Sequence, residues 1–452
     1  MRREGDRPPA RKPNGRGLRT MSDTTLVGAA GVEETSAHTR WNFYTIIGEC
    51  SSFQTGRAWA DPTAVLPLFI TTLTPSTALV GLLPALQRLG YVLPQVPVAA
   101  LLGHRPRRAP FLRWGVFFGR LPFVLFVAYL WTQGAANHAV TLAFLLFADF
   151  SVQLGNGFVA VPWQDIIAKS IPPRIRGRFW GTMQLIGALG GFAAGTLVGV
   201  VLHHKRLAFP ANFAVLFTVA AVFHAGSTLG CFLVREPVRP VLEQREGLSH
   251  ILKAAWSLLS RPSAFRSLVL IAILGFGLAG TMPFYIVYAT RHLGVPEYMA
   301  GVYISVATLG TAALSLVWGW LNDRRGTRAV LRGGCVLLLV TPLVALIIPT
   351  LARAAHPTAL PYLFALVFLT GPSSGSAFFM GTVNYMFDLC SHEERHRYIS
   401  LLGTLSAPSI LLPLAVGWLL KFVPFPVMFV ALAAVAGAAM SIGYRMPQAR
   451  RR

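Results

Sequence analysis

The strongest constraint in this sequence is the recurrence of apolar runs long enough to cross a lipid bilayer. A hydrocarbon core of about 30 Å takes roughly 20 residues of α-helix. Such runs fall near 42–72, 77–102, 111–133, 138–165, 178–203 and 209–234, and again near 266–290, 297–321, 329–350, 358–389, 398–421 and 424–444. Only 13% of the 452 residues are charged, against roughly 25% in a soluble domain. Inside lipid every backbone N–H and C=O must find a partner within the protein, which leaves helices or closed barrels. Run length selects helices. The expected fold is an all-α multi-pass membrane protein with twelve transmembrane helices.

The net charge of +23 would suggest nucleic acid in a soluble protein, but its placement gives another reason for it. Arginine and lysine concentrate in alternate connections: Arg105, Arg107 and Arg108 after the second run, Lys169, Arg174 and Arg176 after the fourth, Arg324, Arg325 and Arg328 after the eighth. The intervening connections hold few. By the positive-inside rule the basic connections and both termini face the cytoplasm of a plasma (inner) membrane, and no nucleic-acid partner is expected. Residues 1–40, basic and Pro/Gly-rich and then polar without periodicity, read as a disordered cytoplasmic tail. Residues 41–235 then form one six-helix bundle, 265–445 a second, and 446–452 a short tail. The connector 236–264 places Leu248, Ile251, Leu252, Ala255, Leu258 and Leu259 at helical spacing. That suits a helix lying at the membrane interface or one packed on protein. The cysteines Cys50, Cys231, Cys335 and Cys390 have neither metal-ligand spacing nor a disulfide pattern, so no metal is expected.

Two basic connections recur at one offset. Arg105 and Arg324 are 219 residues apart, and so are Arg176 in Arg176-Gly-Arg178-Phe179 and Arg395 in Arg395-His-Arg397-Tyr398. A shared offset implies two parallel six-helix repeats. Around Arg324 the sequence is Gly319-Trp-Leu-Asn-Asp323-Arg324-Arg325-Gly326-Thr-Arg328, while the first copy, Gly103-His104-Arg105-Pro-Arg107-Arg108, lacks the aspartate. In these loops, in helix count and in repeat, the chain resembles the major facilitator superfamily over about residues 41–445. The resemblance implies a transporter that works by rocker-switch alternating access, with a cavity between its halves lined by the first, fourth, seventh and tenth spans. It also implies a cytoplasmic gate at Gly319, Asp323, Arg324, Gly326 and Arg328 with Arg105, Arg176, Arg178, Arg395 and Arg397, in which Asp323 meets Arg176 and Arg178. The plainer alternative is that these arginines fix topology and bind anionic lipid.

Ionisable groups within membrane spans are expensive and default to functional candidates. The stretch GRAWADPTAVLP carries Arg57 and Asp61 at i,i+4 near the middle of the first run, followed by Pro62. Either the two neutralise each other, or they form a charged centre facing the cavity, with Asp149 as a rival partner for Arg57. Arg88 and Arg120 are expected as structural partners for these acids. Glu49 reads equally as a proton-path residue or an interfacial carboxylate. Gly275 to Pro283 in the seventh run, Thr370 to Ser376 in the tenth (with Ser373 and Ser374) and Gln153-Leu-Gly155-Asn156-Gly157 in the fourth suggest matching helix interruptions around one cavity. The candidate substrate and proton site is therefore Arg57, Asp61, Asp149, Arg88, Glu49, Gln153, Asn156, Ser373 and Ser374. Glycines 187, 191, 195 and 199 form a packing stripe.

No zinc-protease, nucleotide-loop or nucleophile-elbow motif occurs, so neither an enzyme nor an ATP-driven pump is expected. The leading expectation is a monomeric secondary transporter of a small solute, coupled to protons and needing no cofactor or nucleotide. An uncoupled facilitator is the alternative within the class. A non-transporting sensor or assembly factor on the same fold is the alternative outside it.

Overall fold

The computed structural model describes residues 21–102, 105–237, 264–355, 357–390 and 395–447, and all regular structure among them is helical. The expected interfacial helix within 236–264 lies outside the described residues. The first half comprises α1 (Met21–Trp59), α2 (Val65–Leu73), α3 (Thr77–Val92), α4 (Gln95–Leu102), α5 (Ala109–Gln133), α6 (His138–Ser170), α7 (Pro173–His203) and α8 (Ala211–Leu233). The second comprises α9 (Ala264–Ala279), α10 (Pro283–Arg291), α11 (Met299–Arg325), α12 (Thr327–Ala355), α13 (Leu360–Leu363), α14 (Ala365–Leu389), α15 (Arg395–Leu405), α16 (Leu411–Leu419) and α17 (Phe425–Arg445).

Among the described residues ten helices are long and apolar enough to cross a bilayer. The first two expected runs are not among them, and each is divided. The first breaks between Trp59 and Val65, around Pro62; the second breaks at Leu93 and Pro94. Proline has no N–H to continue the ladder. The backbone of residues 21–40, read from sequence as part of a disordered tail, is helical and continuous with α1. That stretch contains no proline to stop a helix.

Only part of the expected pattern of interruptions is found. The seventh run does break, between Ala279 and Pro283, much as the first does at Pro62. The fourth does not: α6 runs unbroken through Gln153 to Gly157. Its glycines serve close packing instead. A Cβ at Gly155 would lie 2.8 Å from Gly119 Cα, and one at Gly157 would run into the Tyr91 carbonyl. The tenth run also continues through Pro372 as α14, where the Ser374 and Ser376 hydroxyls donate to the Gly371 and Ser373 carbonyls at 2.6 and 2.8 Å.

Within each half the same helix pairs pack. α5 lies on α6 and α8 as α12 lies on α14 and α17, and α3 lies on α6 as α11 lies on α14. The repeat extends to single side chains. Arg113 on α5 donates to the Val234 carbonyl at 3.2 Å, and Arg332 on α12 donates to the Gly443 and Tyr444 carbonyls at 3.2 and 2.9 Å. Each thus holds the C-terminal end of the last helix of its half, where the dipole favours a cation. Aromatic packing fills the cores: Phe69 meets Phe213 and Phe217 edge-on at 5.1 and 5.3 Å, and Tyr303 stacks on Phe368 at 4.5 Å. Large apolar side chains such as Phe118, Phe147 and Leu316 point outward, as a lipid-facing surface requires.

The halves meet along two seams, α3 with α16 and α7 with α11. Both are built on backbone contact. Gly81 and Gly417 face each other, and the Thr77 hydroxyl donates to the Gly417 carbonyl at 2.8 Å. Gly191, Gly195 and Gly199 of α7 lie against Thr308, Ser305 and Gly301 of α11. At the end away from the described termini, α2 packs on α10, and the Arg291 guanidinium caps the Thr71, Thr74 and Pro75 carbonyls. At the opposite end the seam loosens: a Cβ at Gly177, Gly181 or Gly319 would meet nothing within 4 Å.

A Cβ at Gly195 would sit 2.5 Å from Ser305 Oγ and 2.9 Å from the Gly301 carbonyl. Gly195→Leu is therefore expected to lower the melting temperature in detergent, as overpacking by about 1–3 kcal/mol does. Gly181→Leu, with open space around it, should leave the melting temperature unchanged.

Candidate functional site

The site begins at the break between α1 and α2. Arg57 and Asp61 do not form an ion pair among the described contacts. Arg57 lies in the last turn of α1 and is exposed, so its charge opposes the negative end of that helix. The Asp61 Oδ1 accepts from the Thr63 and Ala64 backbone N–H groups at 2.8 and 2.9 Å and from the Thr63 hydroxyl at 2.6 Å. Asp61 thus holds the turn that leads into α2, satisfying N–H groups that the break would orphan. The proline explains the spacing: Asp61-Pro62 ends one helix and opens the next. Arg57 makes no hydrogen bond or ion pair with any described residue, yet its charge acts on Asp61, Asp149 and His224.

Asp149 on α6 is buried. Its Oδ1 accepts from Gln87 Nε2 of α3 at 3.2 Å, while Oδ2 is buried with no described partner. Arg88, the next residue on α3, crosses to the other half: Nη2 donates to the Ser406 hydroxyl at 2.9 Å, and the guanidinium lies 4.7 Å over the Phe276 ring. No described carboxylate pairs with it, so Arg88 is not a structural partner for the acids. Gln153 packs on Gly90 of α3 and accepts from Asn156 Nδ2 at 3.0 Å. Arg57, Asp61, Asp149 and Arg88 thus lie on α1, the α1–α2 break, α6 and α3, with Arg88 reaching the second half.

Other expected members lie elsewhere. Glu49 is buried inside the first bundle, where its carboxylate accepts from Ser227 at 2.8 Å, Cys50 at 3.0 Å and Trp163 Nε1 at 3.1 Å. Arg120 belongs to the same interior, donating to the His224 carbonyl at 3.0 Å and the Thr228 hydroxyl at 2.9 Å. Its charge acts on Glu49 rather than on Asp149. Ser373 and Ser374 are fully buried where α14 meets α11, and the Ser373 carbonyl accepts from Trp318 Nε1 at 3.3 Å. Apolar runs alone do not reveal which face of a helix looks inward within a bundle.

The residues expected at a cytoplasmic gate are not joined to one another by described contacts. Asp323 is exposed and makes no ion pair with any described residue. Arg176 donates to the Ile171 and Ala168 carbonyls at 2.9 and 3.0 Å, closing the end of α6, and Arg178 lies 5.4 Å over Phe43. Arg324 lies 4.9 Å over Trp320, Arg328 donates to the Met446 carbonyl at 2.8 Å, and Arg105 lies 5.2 Å over Phe111. Gly326 has φ +79°, the left-handed backbone that ends α11 and favours glycine. Gly319 faces open space. Arg395 and Arg397 lie on α15.

A charge cluster at this end escaped the sequence reading. Asp165 pairs with Arg108 at 3.3 Å and with Lys169, which also reaches Glu236 at 3.8 Å. Glu236 accepts from the Arg108 and Ala109 backbone N–H groups, both at 2.7 Å, and so caps α5. In the second half Asp388 accepts from the Thr327 hydroxyl at 3.0 Å, at the start of α12. The available signal was the offset: Arg108 and Thr327 are also 219 residues apart.

Asn can accept the same turn hydrogen bonds as Asp, whereas Ala cannot. Asp61→Asn is therefore expected to keep the wild-type melting temperature, and Asp61→Ala to lose stability by about 1 kcal/mol, read by thermal unfolding in detergent.

The matching family model is that of the Major Facilitator Superfamily, over residues 51–304 and 268–451. No curated protein sequence gives a significant match. Among solved structures, a bacterial homologue of the iron transporter ferroportin in an inward-facing state aligns at TM-score 0.64 and 16% identity, covering 90% of this chain and 98% of that one. The nucleoside transporter NupG aligns at 0.64 and 13%, covering 89% and 98%. A D-xylose–proton symporter aligns at 0.66 and 13%, covering 91% and 99%. At these identities the likeness is one of fold. With the family model matching most of the chain and the helix pairs repeating between its halves, this protein belongs to the Major Facilitator Superfamily.

Proposed function

We propose that this protein is a secondary transporter that moves a small polar solute across the plasma membrane by rocker-switch alternating access, coupled to protons. It works as a monomer with both termini in the cytoplasm and needs no cofactor or nucleotide. The observation that carries the reading is Asp149: a buried carboxylate beside the Arg57 charge, with one oxygen held by Gln87 and the other without a partner. A buried polar atom without a partner is costly. A proton, or a donor group of the solute, completes the set, and exchange between them couples the two movements. Arg57 offers positive charge toward Asp149, and Arg88 carries a second cation from α3 to the other half, which favours a solute with an anionic or strongly accepting group. The proton symport of the xylose transporter supports coupling as a capacity of the fold.

The packing of the halves supports alternating access. They are clasped at the end bearing Arg291 and loose at the end bearing Asp323, an inward-facing arrangement for cytoplasmic termini. In the opposite state the Asp323 carboxylate would meet Arg176 and Arg178, which here hold the end of α6 and the Phe43 ring.

A thermal-shift screen of purified protein against small metabolites identifies the solute. Proteoliposomes containing a pH dye then test coupling. Wild type is expected to give a pH change on solute addition, and Asp149→Asn to retain solute exchange but lose the pH signal. Solute flux without a pH change in wild type would identify a facilitator, and binding without flux a sensor. Arg291→Gln is expected to make a cysteine at Thr74 several-fold more reactive to an impermeant maleimide, because the outer clasp is lost.

A further inference from the structure

A groove of about 1030 Å³ runs between α5 and α6 on the outer face of the first half. Both helices pack within that half and neither forms a seam with the second. The floor of the groove is backbone, since a Cβ at Gly119 would lie 2.7 Å from Gly155 Cα. Its walls are aromatic: Trp114, Phe118 and Phe147 line it and are more than half exposed, at 54%, 61% and 57%. At one end stand Arg105 and Arg107, both exposed. Neither makes a hydrogen bond or ion pair with any described residue, whereas their neighbour Arg108 is held by Asp165 at 3.3 Å. Two guanidinium groups with no anionic partner among the described residues therefore crown an apolar slot, that of Arg105 lying 5.2 Å over the Phe111 ring of its wall.

We propose that this groove is a binding site for one anionic phospholipid, with the headgroup phosphate between Arg105 and Arg107 and an acyl chain lying along α5 and α6 as far as Pro122. The length fits. Phe111 to Pro122 spans about 16 Å of helix, about half of a hydrocarbon core of about 30 Å, so the slot is one leaflet deep. The charge fits as well. Guanidinium groups bind phosphate oxygens by paired, charge-assisted hydrogen bonds, and basic residues at the membrane surface attract anionic headgroups. The Gly119–Gly155 contact leaves no side chain to fill the slot from within. The site lies on the lipid face and shares no residue with the Arg57–Asp149 region; it assigns Arg105, which the family resemblance places at the cytoplasmic gate, to lipid.

The test is native mass spectrometry of the full chain in detergent, after incubation with phosphatidylglycerol or with phosphatidylcholine of the same acyl chains. Phosphatidylglycerol is expected to be retained over phosphatidylcholine by roughly tenfold or more, the size expected for two basic groups near an anionic headgroup. Arg105→Gln with Arg107→Gln should erase that preference. Leu154→Trp, which fills the apolar slot without altering charge, should reduce retention of phosphatidylglycerol. Lys205→Gln with Arg206→Gln removes the same charge at the opposite end of the bundle and should change nothing. Glycerol 3-phosphate, the headgroup chemistry without a chain, should not displace the lipid at equal concentration. Equal retention of the two lipids overturns the proposal. So does retention indifferent to the arginine pair or to Leu154→Trp, an equal loss in the Lys205/Arg206 control, or displacement by glycerol 3-phosphate. Circular dichroism and size-exclusion profiles confirm that each variant is folded, and Leu154→Trp is replaced by Leu154→Phe if its profile changes.

Discussion

A helix interrupted at membrane depth exposes backbone groups that lipid cannot satisfy, and the interior of this protein is arranged around meeting that demand. At the α1–α2 break, one carboxylate oxygen of Asp61 takes two N–H groups and a hydroxyl at the start of α2, while Arg57 lies in the last turn of α1, where the carbonyl end of the helix favours a cation. Two charges that look like a pair in the sequence each serve their own helix end. The result leaves Arg57 without a described partner, its charge acting on Asp149, a carboxylate with one unsatisfied oxygen. The break sets up the site as much as it bends the chain.

The fold was legible because three independent signals agree: apolar runs of bilayer length, basic residues in alternate connections, and an offset of 219 residues between Arg105 and Arg324 and between Arg176 and Arg395. The geometry of the candidate site was legible only in part. Arg57, Asp61, Asp149 and Arg88 stood out because charge within an apolar run is costly wherever it points. Cost does not specify direction, and Glu49 and Arg120 prove to sit inside the first bundle rather than between the halves. The glycines of the fourth run misled for a related reason. Glycine permits both a bend and a close approach, and at Gly155 and Gly157 the structure uses the second. The role of Glu236 was hidden because it depends on α8 returning to the start of α5, 128 residues away in sequence.

The repeat is preserved more faithfully in its anchoring than in its loop motif. The first copy of the basic loop has lost the aspartate that Asp323 retains in the second, yet the start of α5 still receives carboxylates, from Glu236 and Asp165. At the start of α12 a carboxylate also arrives, Asp388, which accepts from the Thr327 hydroxyl. Arg113 and Arg332 secure the last helix of each half by the same device. What recurs is the electrostatic requirement at a helix end, and the residue that meets it is free to come from a different part of the chain.

The glycine seams carry a mechanical consequence. Where α3 meets α16 and α7 meets α11, backbone lies against backbone at Gly81–Gly417 and at Gly195–Gly301, and side chains that cross the joints include the small ones of Thr77, Ser305 and Thr308. Interdigitated side chains act as cogs, and rotating past them means lifting each from its socket. Smooth surfaces in contact act as bearings. In the proposed rocker-switch movement, such seams are the joints along which each half turns as a rigid body while the rotamers of its own core stay where they are.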